Sequence, residues 1–488
     1  LPCLFASKMA ASLLFGRATS RALKGLIKSY APTITYCNKR FLLSQAYSCK
    51  ESWHKRLEDP VLSQVPLSEF AIQLRDQFDK QKSISAVDME ILANKMHEMD
   101  VDEADFMEDV IRKFRKSPAS NPVRDSIVYV IVRNYINSGM ADRLLPLMQT
   151  RSQTGLFPDS FAFSHLLDHF IEENDLAGAS QVAYEIMLQE DFSHPTSRFL
   201  SLYACVQYLE SVSLDDITPE EIKDPEGEEE WFPVKYIKYP VYDDHFDIKS
   251  QQYLLGKTLY CLGKELGANT LGHSLQVSGL ALYHKFSRCL QLMTDIANSG
   301  DGSLVQDSLR HVEESLEKVQ IRDPEKPQKE TGLLTIDDEI YKLLPTQEQK
   351  EDFVAQFKQL RQTLQDKGKV VEEKMSALSE TLVKSELLQH EAADIEVQTK
   401  RLEGWQEERQ ELLQQQLYEL EKTQKVEEIQ NTLKELQEKE EMIRFFELND
   451  KIRLIQPKRL PKVKVEEEED EETLRLKRIK RRKFRHNV

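Results

Sequence analysis

Glycine and proline are scarce in this chain, 16 and 18 among 488 residues. A sandwich or barrel of short strands needs a turn between each pair, and turns lean on those two residues, so a β-rich fold is excluded. Cysteine is thinner still: Cys3, Cys37, Cys49, Cys205, Cys261 and Cys289 show no C-x-x-C spacing. Neither a zinc site nor a disulfide framework follows, and the later three read as small buried hydrophobes. Apolar runs are too short to span a bilayer, so a soluble protein is expected after processing, with no membrane insertion. Gly-rich phosphate loops, nucleophile elbows and H-E-x-x-H are missing, and no enzyme is expected. His165 and His169 are four apart on one helix, with Asp168 the only further ligand type beside them, so neither a metal nor a cofactor is assigned. The formal charge of −17 excludes a general attraction to polyanions; nucleic-acid contact has to come from local basic surface.

Acidic residues are absent from the first fifty positions, which carry Lys8, Arg17, Arg21, Lys24, Lys28, Lys39, Arg40 and Lys50. From Met9 the apolar Leu13, Leu14 and Phe15 lead into Arg17, Arg21, Leu23, Lys24, Leu26, Ile27 and Lys28. That is a basic amphipathic helix, and residues 1–50 read as a mitochondrial presequence.

What is abundant is Glu, Lys, Gln and Leu, the makings of long helices. Val128, Ile131, Val132, Tyr135 and Ile136 form one buried stripe, and Phe163, Leu166, Leu167, Phe170 and Ile171 repeat it 35 residues later. A second stripe, Leu144, Leu147 and Met148, recurs as Ala179, Val182, Ala183, Ile186 and Met187. Leu200, Tyr203, Ala204 and Tyr208 open a third unit, displaced by 37, and Met107, Val110, Ile111 and Phe114 close an earlier one. Pro118, Pro122, Gly155, Pro158 and Pro195 fall between units, where helices stop. Hairpins of this kind bury their apolar faces on one another, and such stacking leaves one groove exposed. The expected fold is all-α: a helical-hairpin solenoid followed by long polar helices, with charged disordered segments.

Hairpin repeats are placed at 51–210, an acidic and aromatic insertion at 211–249, further hairpins at 250–320 and a linker at 321–344. A long helical region, 345–450, carries Leu413, Leu417 and Leu420, then Val426, Ile429, Leu433 and Leu436, at alternating spacings of three and four. Gln416, Gln424 and Glu440 interrupt the heptads, so this region is expected to lie along a partner, with self-pairing as the second reading. The tail, 451–488, passes from seven acids at Glu466–Glu472 to eight Lys or Arg between Arg475 and Arg485.

Arg112, Lys113, Arg115, Lys116 and Arg124 make the densest basic cluster in the globular part. Such residues position a nucleic-acid backbone, or they offset the negative end of a helix. Lys477, Arg478, Lys480, Arg481, Arg482 and Lys483 are candidates to thread along RNA, or a nuclear-type signal.

Gly155-Leu156-Phe157-Pro158-Asp159, followed by Phe163, Leu166, Leu167, Asp168, Phe170 and Ala179, resembles a pentatricopeptide repeat. Together with KRFLLSQAYS near the start and LEGWQEERQELLQQQ late in the chain, it is similar to the pentatricopeptide-repeat proteins of the mitochondrial small ribosomal subunit. That resemblance implies a non-catalytic component of the ribosome in the mitochondrial matrix. It implies contact with small-subunit rRNA and neighbouring mitoribosomal proteins, in support of mitochondrial translation. The alternative is a free repeat factor for processing, stability or translation of other mitochondrial RNA. In pentatricopeptide proteins two positions per repeat read one base; carried over, they are Val128 with Asp159 and Ser164 with Thr196. Val128 has no side-chain hydrogen bond to offer, so contacts to the shape and phosphates of folded RNA, or docking to protein, are the expected mode.

Overall fold

Many helices in this chain start on a side chain that accepts a hydrogen bond from their first free backbone N–H groups. Ser85, Asp159, Asp175 and Asn269 each cap a helix in this way, and Thr346 closes a capping box with Gln349. Left-handed residues end others, among them Gly155 at φ 71°. The result is a computed structural model that describes residues 42–120, 124–212, 248, 250–299, 302–322 and 344–459.

The helices in chain order are α1 (Lys50–Lys55), α2 (Pro60–Gln64), α3 (Leu67–Gln81), α4 (Ala86–Lys95), α5 (Ala104–Arg115), α6 (Asp125–Asn137), α7 (Leu144–Gln149) and α8 (Arg151–Thr154). They continue as α9 (Ser160–Glu172), α10 (Leu176–Leu188), α11 (Pro195–Ser211), α12 (Gln251–Leu266), α13 (Thr270–Leu282), α14 (Phe286–Asn298), α15 (Gln306–Lys318), α16 (Gln347–Asp366) and α17 (Met375–Arg459). Strand among the described residues is confined to β1 (Leu304–Val305) and β2 (Val370–Val371), paired in parallel with Leu304 opposite Val370. The fold is all-α, as the composition requires.

Two units divide the chain, Leu1–Leu417 and Tyr418–Val488. In the first, α4 packs on α6, α6 on α9 and α9 on α11, forming a row of first helices. The second helices α3, α5, α7 with α8, α10 and α12 make a row behind it, and α13 to α16 continue the stacking. First helices begin at Asp125, Ser160 and Pro195, a constant step of 35 residues. The step of 37 read from Leu200 arises because α11 is buried around most of its circumference, so no single apolar stripe marks its phase.

Side chains staple neighbouring repeats about one period apart. Arg143 reaches Glu108, Arg151 reaches Glu185, Arg124 reaches Glu90 and Lys113 reaches Asp79. Farther on, α12 and α13 meet backbone to backbone: a Cβ added to Gly279 would lie 2.5 Å from the Gly256 carbonyl oxygen. Only glycine permits that approach.

Residues 42–50, inside the acid-free stretch, are packed: Leu43, Tyr47 and Cys49 are buried in the main core. Residues 1–41 of the expected presequence, 213–247 and 249 of the expected insertion, 323–343 of the expected linker, and the tail beyond 459 lie outside the described residues. In the second unit, taken by itself, the helix to Arg459 exposes Val426, Ile429, Leu433, Leu436, Ile443 and Phe446.

Candidate functional site

The first helices of the repeats begin along one face, and their opening residues are polar: Ser85 before α4, Asp125 in α6, Asp159 before α9, His194 and Thr196 at α11. A hairpin array was expected to leave this face open. Instead residues 375–417 of α17 lie on it, with Val383, Leu387 and Leu402 buried in the main core. The helix is led there by the β1–β2 pair and by the Met375 N–H, which donates to Asp307 of α15 at 3.0 Å.

Its polar contacts recur with a fixed spacing. Gln416 donates to Ser85 at 3.3 Å, Arg409 holds Asp59 at 3.0 Å and approaches Glu90 at 3.9 Å, and Arg401 bridges Asp125 at 2.7 Å and Asp159 at 2.8 Å. Asp394 accepts from Thr196 and lies 3.4 Å from His194. These four residues are seven or eight apart, which at the α-helical rise is about 11 Å. That matches roughly the 8–10 Å between packed helices, so the helix advances one row of the array per two turns.

Between them sits Gln398, whose amide is fully used. Its nitrogen donates to the Tyr129 hydroxyl and, at 2.8 Å, to His165 Nε2, while its oxygen accepts from the Cys49 thiol at 3.8 Å. Burial, then the charge of Arg133, lowers the His165 pKa to about 3, so the ring is neutral and able to accept. Tyr47 and Tyr129 pack their rings on it at 5.3 and 5.8 Å. Beside this group two guanidinium groups lie against the Trp53 ring, Arg56 at 3.3 Å and Arg133 at 4.3 Å. Burial chiefly, with the neighbouring Arg133 and Arg409, draws Arg56 down to about 8. Burial raises the Asp394 carboxyl, but hydrogen bonds from His194 and Thr196 outweigh it and the group ends below its ordinary value.

The base-reading candidates fall on or beneath this covered face. Val128 is a core residue, Ser164 is buried and donates to the Ser160 carbonyl at 2.8 Å, Thr196 is buried against Asp394, and Asp159 caps α9 while pairing with Arg401. Of the basic cluster, Arg112 pairs with Glu108, Lys113 with Asp79 and Asp109, and Arg124 with the buried Glu90. Arg115 packs its stem against Gly155, and Lys116 is exposed. Lys477, Arg478, Lys480, Arg481, Arg482 and Lys483 lie outside the described residues.

His165 is engaged by Gln398, and no group of three or more His, Cys, Asp or Glu is arranged for a metal among the described residues. No described helix is long and apolar enough to cross a membrane. Sequence reasoning missed Asp394, Gln398, Arg401 and Arg409; the seven-to-eight spacing of Asp394, Arg401, Arg409 and Gln416 on a polar helix was the signal available.

The array and the helix laid on it coincide with a known family. The model described as Mitochondrial 28S ribosomal protein S27 matches residues 13–435, a span that includes Asp59 through Gln416 and so both sides of the covered face. The chain therefore belongs to that family: it is a ribosomal protein of the mitochondrial small subunit, located in the mitochondrial matrix.

Proposed function

We propose that this protein is a non-catalytic, architectural part of the small subunit that touches small-subunit rRNA and neighbouring ribosomal proteins through its outer surfaces, and so supports mitochondrial translation. The observation that carries this reading is the covered face. A single strand read base by base needs the first helices free, and here Asp394, Gln398, Arg401 and Arg409 of the chain's own helix occupy them. Contacts with RNA then fall to exposed basic residues, which meet phosphates without reading sequence. Contacts with protein are supported by the exposed Val426, Ile429, Leu433 and Leu436, an apolar stripe at the spacing of a helix that packs along another.

Gradient sedimentation of tagged full-length protein tests this. Co-migration with the small subunit, and loss from that fraction when the subunit is dissociated, is the expected result. Protein found only at the top of the gradient, bound to other mitochondrial RNA, would establish the free-factor reading instead.

A further inference from the structure

The basic cluster is larger on the surface than in the sequence. Helices α3 and α5 run parallel as neighbouring second helices: Ser68 donates to Glu103 at 2.8 Å near their starts, and Lys113 pairs with Asp79 at 3.2 Å near their ends. Beyond those ends the Ser117 hydroxyl donates to the Ile84 carbonyl at 3.1 Å and accepts from the Ile84 N–H at 3.0 Å. Two segments distant in sequence, 79–84 and 112–120, are thus tied into one edge. It carries Lys80, Lys82, Arg112, Lys113, Arg115 and Lys116, of which Arg112 is paired with Glu108 and Lys113 with Asp79 and Asp109.

One cation at each helix end is what the helix dipole favours. Lys80, Lys82, Arg115 and Lys116 over two ends exceed that role in a chain whose formal charge is −17. Lys80, Lys82 and Lys116 are exposed, and the Lys82 ammonium lies 5.4 Å from the Phe78 ring centroid. The excess is local. Two repeats on, the equivalent end of α10 turns acidic at Glu190 and Asp191.

We propose that this edge, centred on Lys80, Lys82, Arg115 and Lys116, is a docking site for the phosphate backbone of folded RNA. The proposal rests on the architectural reading above and gives its RNA contact a place. Lysines and arginines spread over two helix ends meet phosphates on a rigid backbone without selecting bases, as a protein needs when its repeat face is already filled.

Two experiments separate this proposal from that reading. In full-length chain, Lys80→Ala, Lys82→Ala and Lys116→Ala together are titrated with an arbitrary-sequence RNA hairpin at several salt concentrations. Affinity at low salt is expected to fall at least about tenfold, and the slope of log affinity against log salt to shrink by about 2 to 3. The matched triple Lys384→Ala, Lys422→Ala and Lys434→Ala, all exposed residues of α17, is expected to change neither. Equal behaviour of the two triples overturns the proposal even if the protein sediments with the subunit. In purified small subunits, ultraviolet crosslinking is expected to leave RNA on the peptides around Lys80–Lys82 and Arg115–Lys116. RNA on other peptides only would also overturn it, whereas absence of the chain from the subunit fails the architectural reading and leaves the titration to judge the edge.

Discussion

Arg409 and Asp59 stand 350 positions apart in sequence and 3.0 Å apart in the fold, with both side chains almost wholly out of solvent. Arg409 also faces Glu90, which Arg124 holds from the other side at 3.2 Å. Burial raises the Glu90 carboxyl, and the charges of Arg409 and Arg124 oppose the rise. The long helix is therefore fixed to the array by charges that neither element could bury alone.

Replacing Arg409 by Met takes the cation from buried Asp59 and leaves Glu90 to Arg124 alone. Arg409→Met is expected to destabilise the fold by about 3–5 kcal/mol, the usual cost of breaking one side of a buried pair. Lys55→Ala, which removes an exposed ion pair with Glu403, is expected to cost under about 1 kcal/mol. Urea midpoints of the two variants check the contrast.

Glycine carries weight at one crossing and none at another place. Gly279→Ala puts a methyl group 2.5 Å from the Gly256 carbonyl oxygen and the Tyr260 nitrogen, so α12 and α13 have to separate. A loss of about 3 kcal/mol is expected from such overpacking. Gly404 in α17 has no atom within 4 Å of its added Cβ, and Gly404→Ala is expected to gain about 0.5–1 kcal/mol from helix propensity. Thermal unfolding of both variants gives the two signs.

Buried titratable groups give the fold opposed pH dependences. Burial pushes the Asp88 carboxyl up to about 7, and burial with the charge of Glu172 does the same to Asp168. From about pH 4 to 7 the folded state holds protons that the unfolded chain has released, so these two groups make stability fall as pH rises. Burial lowers His165 to about 3 and His284 and His311 to about 4. Below about pH 6.5 the unfolded chain takes up protons that these folded rings refuse, so their effect is a loss of stability as pH falls. Between about pH 6.5 and 7 these acids act without the histidines. Asp88→Asn is expected to raise the denaturation midpoint near pH 8 and to raise it much less near pH 5, measured by urea titration at both.

Much of the repeat architecture was legible because each stripe is local. Val128 to Ile136 and Phe163 to Ile171 announce their buried faces within three turns, and the 35-residue step follows from comparing them. The covered face was not legible, for a physical reason. Gln398, Arg401 and Gln416 look like surface residues of a polar helix until the partners that satisfy them, Tyr129, Asp159 and Ser85, are brought alongside from hundreds of residues earlier. Gln416 read as an interruption in a coiled-coil seam because a seam against another helix is apolar, whereas this helix packs on the polar openings of the array. The packing of residues 42–50 was not legible either: they lack acids like the forty-one residues before them, yet Tyr47 and Cys49 pack under the long helix. Lys80 and Lys82 escaped notice because the edge they share with Lys116 exists only once α3 and α5 are side by side.

The occupied face is tested most directly on unmodified protein in purified small subunits with a carbodiimide, which joins a lysine to a touching carboxylate without a spacer. Lys55 lies 3.5 Å from Glu403 and Lys374 lies 3.0 Å from Glu210, each pair exposed and each linking α17 or its lead-in to the array. Mass spectrometry is expected to find both amide bonds within the chain. Lys55 and Lys374 joined instead to carboxylates of other ribosomal proteins, with neither internal bond present, would contradict a repeat face filled by the protein's own helix.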